Sequence, residues 1–265
     1  MTPFVSRVVV VVVGLPVVLG LVWLGGWWLW ILATVVGLIA LHEFYVMARP
    51  LRPLVLAGYT GLVLTLLGEQ LGGTIWMLGG FLTTLALAFL LKGISETRQS
   101  LTVAVATTVI GTAWIAFGLT SILLLRGIPH HGRLAVFTVL LAVFAADTMA
   151  FFTGQLVGRH KLAPVLSPGK TWEGLVASTI TAILVSFFAL YHTKPPFLTV
   201  GESLVLGAVI AVSAPVGDLF ESAVKRDLGV KDSGRVLAGH GGMLDRLDAP
   251  LFAAVASYFT ILALT

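Results

Sequence analysis

From Val5 to Val46 nearly every position is apolar. As one α-helix this stretch would run about 63 Å, roughly twice the hydrocarbon core of a bilayer, so it must turn back on itself. Gly25-Gly26 is the natural break and predicts spans over 5–24 and 27–47. A short basic turn with Arg49, Pro50, Arg52 and Pro53 follows. Further apolar runs cover 54–68, 74–91, 101–125 and 134–155, with breaks at Gly72-Gly73, at Lys92 to Gln99 and at Arg126 to Arg133. Beyond a polar loop at 156–171 come 172–191, 202–222 and 249–264. The pattern predicts an all-α, polytopic integral membrane protein with about nine transmembrane helices and no internal repeat.

Composition supports the same class. Hydrophobic residues make up 58% of 265 positions, charged ones 11%, and the mean hydropathy is +1.03. A soluble domain carries about 25% charged residues, so an ordinary soluble fold is excluded. The chain has no cysteine, which rules out disulfides and thiolate metal sites. Arg7 ahead of an apolar run has the look of a signal peptide. That run reaches Leu24, longer than a signal core of about 7–15 residues, and no A-x-A site follows, so it reads as a span that stays.

Charge distribution then sets orientation. The N-terminus and the loops after spans 2, 4, 6 and 8 carry 13 of the 16 Lys and Arg residues; the remaining loops and the C-terminus carry 3. The positive-inside rule places the N-terminus in the cytoplasm and the C-terminus outside.

Charge also marks the site. Between Ser213 and Asp248 lie 11 of the 28 charged side chains. A membrane chain keeps such a cluster only where it meets water, ions or a charged ligand, because burying unpaired charge costs several kcal/mol. Asp218, Glu221, Ser222 and Lys225 share one helical face by spacing. Asp245 and Asp248 are three apart at the start of the last span. Carboxylates from two helix ends suit a hard cation such as Mg²⁺, which takes few protein ligands and fills its shell with water and phosphate oxygens. Lys225, Arg226, Lys231, Arg235 and Arg246 interleave with them. Acids for a metal beside bases for oxyanions is the composition of a phosphate-chemistry site. Between them, the glycines of His240-Gly241-Gly242 would let backbone amides approach a ligand.

The run Ser222-x-Val-Lys225-Arg226-x4-Lys231-Asp232-x-Gly234-x2-Leu237-x2-His240-Gly241-Gly242-x2-Asp245-Arg246-Leu-Asp248 resembles the signature of the CDP-diacylglycerol synthases, the phosphatidate cytidylyltransferases. One departure is Ala238, where that family usually has proline. The similarity extends upstream to Asp147-Thr148-x-Ala150-Phe151-Phe152-x-Gly154 and Ser167-Pro168-x-Lys170-Thr171-x-Glu173-Gly174, so it covers roughly 147–265. The first 100 or so residues match only as hydrophobic spans.

Several residues carry two readings on their own. Gly169-Lys170-Thr171 is not expected to be a phosphate-binding P-loop, because position 164 is proline rather than glycine and no strand is expected ahead of it in this context. Ser167-Pro168 is expected to open span 7 and put Lys170 in its first turn, where a cation and free amides make an anion site; the alternative is a lysine marking the cytoplasmic interface. Asp147 lies well inside span 6 and is a functional candidate or a helix-packing carboxylate. His42 and Glu43 read as interfacial or packing groups rather than ligands. His130 and His131 read as surface residues of an outer loop.

The resemblance implies cytidylyl transfer from CTP to phosphatidate, giving CDP-diacylglycerol and pyrophosphate at the cytoplasmic face of the inner membrane. It implies Mg²⁺, with a second cation as an option, on Asp218 and Asp245. Catalytic roles fall to Asp218, Lys225, Lys231, Asp245 and Asp248. Substrate contacts fall to Asp147, Ser167, Lys170, Glu173, Ser222, Arg226, Asp232, His240, Gly241, Gly242 and Arg246. Residues 1–133 would be a transmembrane scaffold, lipid-facing or forming a homodimer. Residues 134–265 would be the catalytic region, with cytoplasmic loops at 156–171 and 223–248, and no nucleic acid is expected as partner. The alternatives are a cytidylyltransferase for another lipid phosphate, such as an archaeal ether lipid, or a transporter of an organic phosphate.

Overall fold

The computed structural model describes residues 12, 14–94, 100–191, 197–234 and 241–264. The start of the first expected span, together with Arg235, Leu237, Ala238 and His240, lies outside the described residues.

The apolar runs fold as helices, and among the described residues nine α-helices follow one another: α1 Leu15–Leu24, α2 Gly26–Met47, α3 Val55–Gly72, α4 Thr74–Ile94, α5 Leu101–Gly127, α6 Gly132–Val157, α7 Trp172–Tyr191, α8 Val200–Asp227 and α9 Asp248–Leu264. Six of them (α2 to α6 and α8) are long and apolar enough to cross a membrane, while α1, α7 and α9 are apolar but shorter by that measure. The chain is an all-α polytopic membrane protein. Its outer surface agrees: Ile75, Trp76 and Phe89 of α4 are 82%, 67% and 58% exposed, which suits a face against lipid rather than water.

The breaks fall where the sequence places them. Gly25 (φ 71°) and Gly73 (φ 73°) end α1 and α3 in the left-handed region, which costs glycine no Cβ clash. The helix borders run wider than the apolar runs, by four residues at the end of α3 and five at the end of α8.

The chain divides into two compact units, Met1–Leu124 with Leu228–Arg246, and Leu125–Asp227 with Leu247–Thr265. In the first, α3 and α4 form a tight hairpin. A Cβ on Gly61 would overlap the Thr84 side chain, and one on Gly80 the backbone carbonyl of Leu64. Lipid tails are as apolar as leucine, so such close backbone contact, rather than the hydrophobic effect, drives helix pairing in a bilayer. Polar ties join α2 to α5: the Tyr45 hydroxyl donates to the Thr108 carbonyl at 3.2 Å and meets Thr112 Oγ1 at 3.0 Å. Several buried threonines of α5 satisfy themselves on the preceding turn, as Thr112 does on Thr108 O (2.9 Å) and Thr120 on Ala116 O (2.7 Å).

In the second unit α6, α7, α8 and α9 each pack on the next in sequence, and α9 returns to α6. The stretch 156–171, expected as a polar loop, holds a two-stranded antiparallel sheet: β1 Lys161–Ala163 pairs with β2 Ser167–Thr171, Lys161 opposite Thr171 and Ala163 opposite Ser167. Helix α7 therefore starts at Trp172, not at Ser167-Pro168. Proline's fixed φ is compatible with extended chain at a sheet edge, and the hydroxyl of Thr171 caps the helix instead, accepting the Gly174 N–H at 3.1 Å.

Candidate functional site

The second unit gathers most of the candidate residues. Pro215 inside α8 has no N–H for the carbonyl four residues earlier, so the helix already lacks one bond just before Asp218. One residue before Asp218, Gly217 lets α9 come close. A Cβ there would overlap the Asp248 carbonyl oxygen and stand 3.0 Å from Phe252 Cβ. The α8–α9 contact thus lies at the level of Asp218 and Asp248.

Asp218 is the hub. Its Oδ2 pairs with Lys170 Nζ at 2.7 Å, and Ser222 donates to its Oδ1 at 3.4 Å from one turn on. Asp147 of α6 feels the charges of both Asp218 and Lys170. Asp248, the first residue of α9, feels those of Asp218, Asp147 and Lys225. Three aspartates far apart in sequence therefore come within electrostatic range of one another, with two lysines to balance them. Asp147 is exposed on α6 rather than packed against a neighbouring helix. Glu221 is 2% exposed and forms an i,i+4 ion pair with Lys225.

Lys170 reaches Asp218 from β2. The expected first-turn position on α7 is corrected: the strand carries it, and the hairpin is fastened to the helix behind it. The Trp172 N–H donates to the His160 carbonyl at 2.9 Å, and the Glu173 carboxylate receives His160 Nδ1 at 2.7 Å and its backbone N–H at 3.3 Å. Glu173 is thus engaged with His160 in the structure. Ser167 sits half-buried on the same strand, while Arg226 is exposed at the end of α8.

The first unit holds the glycine-rich loop, and there Asp245 is an organiser of backbone. Its carboxylate accepts the Ser233 N–H at 3.2 and 3.3 Å and the Gly242 N–H at 2.8 Å. The Gly242 amide, expected to face a ligand, is therefore committed to Asp245. Lys231, Asp232 and Arg246 are exposed on this loop. Beneath it lies a residue that the sequence places among interfacial or packing groups rather than ligands. Glu43, near the end of α2, is 3% exposed, and its Oε2 accepts the Leu244 N–H at 2.9 Å and the Ser233 hydroxyl at 3.3 Å. An acidic residue inside an apolar span was its one signal.

Among the described residues no three His, Cys, Asp or Glu side chains form a ready-made metal cage. Asp218, an all-oxygen donor with a lysine beside it, does fit a hard cation that takes one or two carboxylates and completes its shell with water and phosphate.

Comparison with known proteins gives a consistent result. The cytidylyltransferase family model matches residues 5–264. The phosphatidate cytidylyltransferase of Haemophilus influenzae is 44% identical over 138 residues, 49% of this chain and 47% of that protein. Its counterpart in Mycobacterium bovis is 39% identical over 135 residues, 50% of this chain and 43% of that one. These two matches thus span a little under half of the relatives' length. The phosphatidate cytidylyltransferase of Staphylococcus haemolyticus is 32% identical over 253 residues, covering 93% of this chain and 94% of that protein.

Proposed function

The chain belongs to the cytidylyltransferase family, and we propose that it transfers a cytidylyl group from CTP to phosphatidate, yielding CDP-diacylglycerol and pyrophosphate. The observation that carries this reading is the Lys170–Asp218 pair set among Asp147, Asp248 and Lys225, within a chain that matches the family from end to end. Cations for phosphate and carboxylates for a metal are what joining two anionic phosphates requires.

In the proposed step a phosphatidate phosphate oxygen attacks the α-phosphorus of CTP in line. The new O–P bond forms as the bond from the α-phosphorus to the bridging oxygen breaks, and pyrophosphate leaves with that electron pair. The nucleophile is already ionised near neutral pH, so no residue has to act as general base. Lys170 and Lys225 supply positive charge for the triphosphate and the lipid phosphate, and preorganised charge of this kind is the main lever in phosphoryl transfer. Glu221, buried against Lys225, holds that ammonium in place. Asp218, supported by Asp147 and Asp248, would hold Mg²⁺. When bound, the ion neutralises charge on the phosphates and brings the two anions together.

The charge bias of the loops supports a site open to the cytoplasm, where CTP resides. The test uses purified protein in lipid or detergent with labelled CTP, Mg²⁺ and phosphatidate, followed by lipid extraction. Label entering the lipid phase only when phosphatidate is present is the expected result. Label entering only with an ether-lipid phosphate would reassign the substrate, and none with either would overturn the reading.

A further inference from the structure

A carboxyl group that is 3% exposed is held in place for a reason, and Glu43 sits 190 residues from Ser233 and 201 from Leu244 in sequence. Its Oε2 takes two donors of the loop, Ser233 Oγ and Leu244 N–H, while its Oε1 is buried with no hydrogen-bond partner among the described residues. The loop is shaped around it. A Cβ on Gly234 would overlap Oε1, and a Cβ on Gly242 would come within 2.6 Å of Oε2 and overlap the Ser233 hydroxyl. Asp245 closes the same loop from the other side through the Ser233 and Gly242 amides. Two carboxylates thus converge on Ser233, Asp245 on its N–H and Glu43 on its hydroxyl. Glycine at 234 and 242 is a steric requirement of the carboxyl group coming from α2.

We infer that Glu43 is a positioning residue for the transfer reaction: it holds together the described ends of the glycine-rich loop, Ser233-Gly234 and Gly242 to Asp245, and so the placement of Lys231 and Asp245, by accepting two hydrogen bonds rather than by its charge. This inference rests on the proposed cytidylyl transfer for its kinetic part only; the loop's fold can be read without substrate.

Two substitutions separate acceptor from charge. Glu43→Gln keeps an oxygen where Oε2 stands and removes the charge, so both loop donors stay satisfied. Glu43→Ala removes the acceptor and leaves space. In the kinetic arm, Glu43→Ala should lower kcat/KM for CTP by about 100-fold, the scale of an ångström-sized misplacement. Glu43→Gln should stay within about tenfold of wild type. In the arm that needs no activity, Met243→Cys gives the otherwise cysteine-free chain one half-buried thiol beside Leu244. Its reaction with a maleimide should speed up about tenfold or more in the Glu43→Ala background, and hardly at all with Glu43→Gln, as expected for local opening.

Equal loss of activity in Gln and Ala variants would mean that the charge is required and would overturn the inference. Unchanged thiol reactivity in Glu43→Ala would overturn it too. If Glu43→Ala fails to fold, Ser233→Ala, which removes one of the two donors, should give the same acceleration in smaller measure, and no acceleration there counts against the inference. Should wild type transfer no label at all, the reading of function fails while the thiol measurement still decides the role of Glu43.

Discussion

Replacing Gly217 by alanine adds one methyl group at a close contact between α8 and α9. The built Cβ overlaps the Asp248 carbonyl oxygen and lies 3.1 Å from its carbonyl carbon and 3.0 Å from Phe252 Cβ. Ordinary contact begins near 3.4 Å, and two of the three obstacles are backbone atoms that cannot swing away. The start of α9 must therefore retreat from α8 by several tenths of an ångström up to about 1 Å. Overpacking of this kind costs about 1–3 kcal/mol, which a helical membrane domain survives. Catalysis suffers more, because an ångström of misplacement costs about 100-fold in rate and the moved residue is Asp248, which shares its electrostatic surroundings with Asp218 and Asp147. The prediction is a Gly217→Ala protein that purifies as a folded helical species, melts a few degrees lower, and transfers cytidylyl groups about 100-fold more slowly at saturating CTP. Measuring the melting temperature and turnover side by side separates the two effects. A variant with wild-type turnover would show that the α8–α9 contact does not set the geometry of the site.

Three further outcomes follow from the same arrangement. Lys170→Met keeps the apolar stem and removes the ammonium; a partly exposed ion pair is worth only about 1 kcal/mol, so stability should change little while kcat/KM falls about 100-fold or more, as measured by thermal melting and the lipid-extraction assay. Asp218→Asn should leave folding intact and cut turnover about 1,000-fold; if Asp218 and Asp245 serve one ion, as the sequence reading has it, adding Asp245→Asn should make matters scarcely worse, and a multiplicative loss would refute the shared role. For topology, Thr199→Cys should react with an impermeant thiol reagent on intact cells and Val230→Cys only after permeabilisation, the reverse pattern contradicting the charge count.

The helices were legible because bilayer physics leaves few choices. An apolar run must satisfy its own backbone, glycine pairs and charged turns mark where it can stop, and the expected breaks at Gly25-Gly26 and Gly72-Gly73 fall where α1 and α3 end. The hairpin at Lys161–Ala163 and Ser167–Thr171 was not legible. Its strands are three and five residues long, too short for any period to stand out, and the Ser-Pro pair that suggested a helix start is equally at home in extended chain. What distinguishes the two cases is the cap, and Thr171 is one of several hydroxyl residues that could have served.

Spacing brought Asp218, Ser222, Glu221 and Lys225 to one helix face correctly, since i and i+4 neighbours are fixed by the helix itself. It could not tell what each aspartate does. Asp218 faces a lysine across the fold, while Asp245, identical in chemistry and embedded in an equally dense motif, holds two backbone amides of its own loop. A carboxylate offers about four acceptor sites, so organising a loop and meeting a ligand are compatible functions on one side chain. They differ in what asparagine does to them. At position 218 it removes a charge. At position 245 its amide group, placed toward the Gly242 N–H, would set donor against donor, so the loop itself should loosen. The Met243→Cys thiol therefore distinguishes them: its reactivity should rise with Asp245→Asn and stay at the wild-type value with Asp218→Asn, and a rise in neither would remove Asp245 from the role of loop organiser.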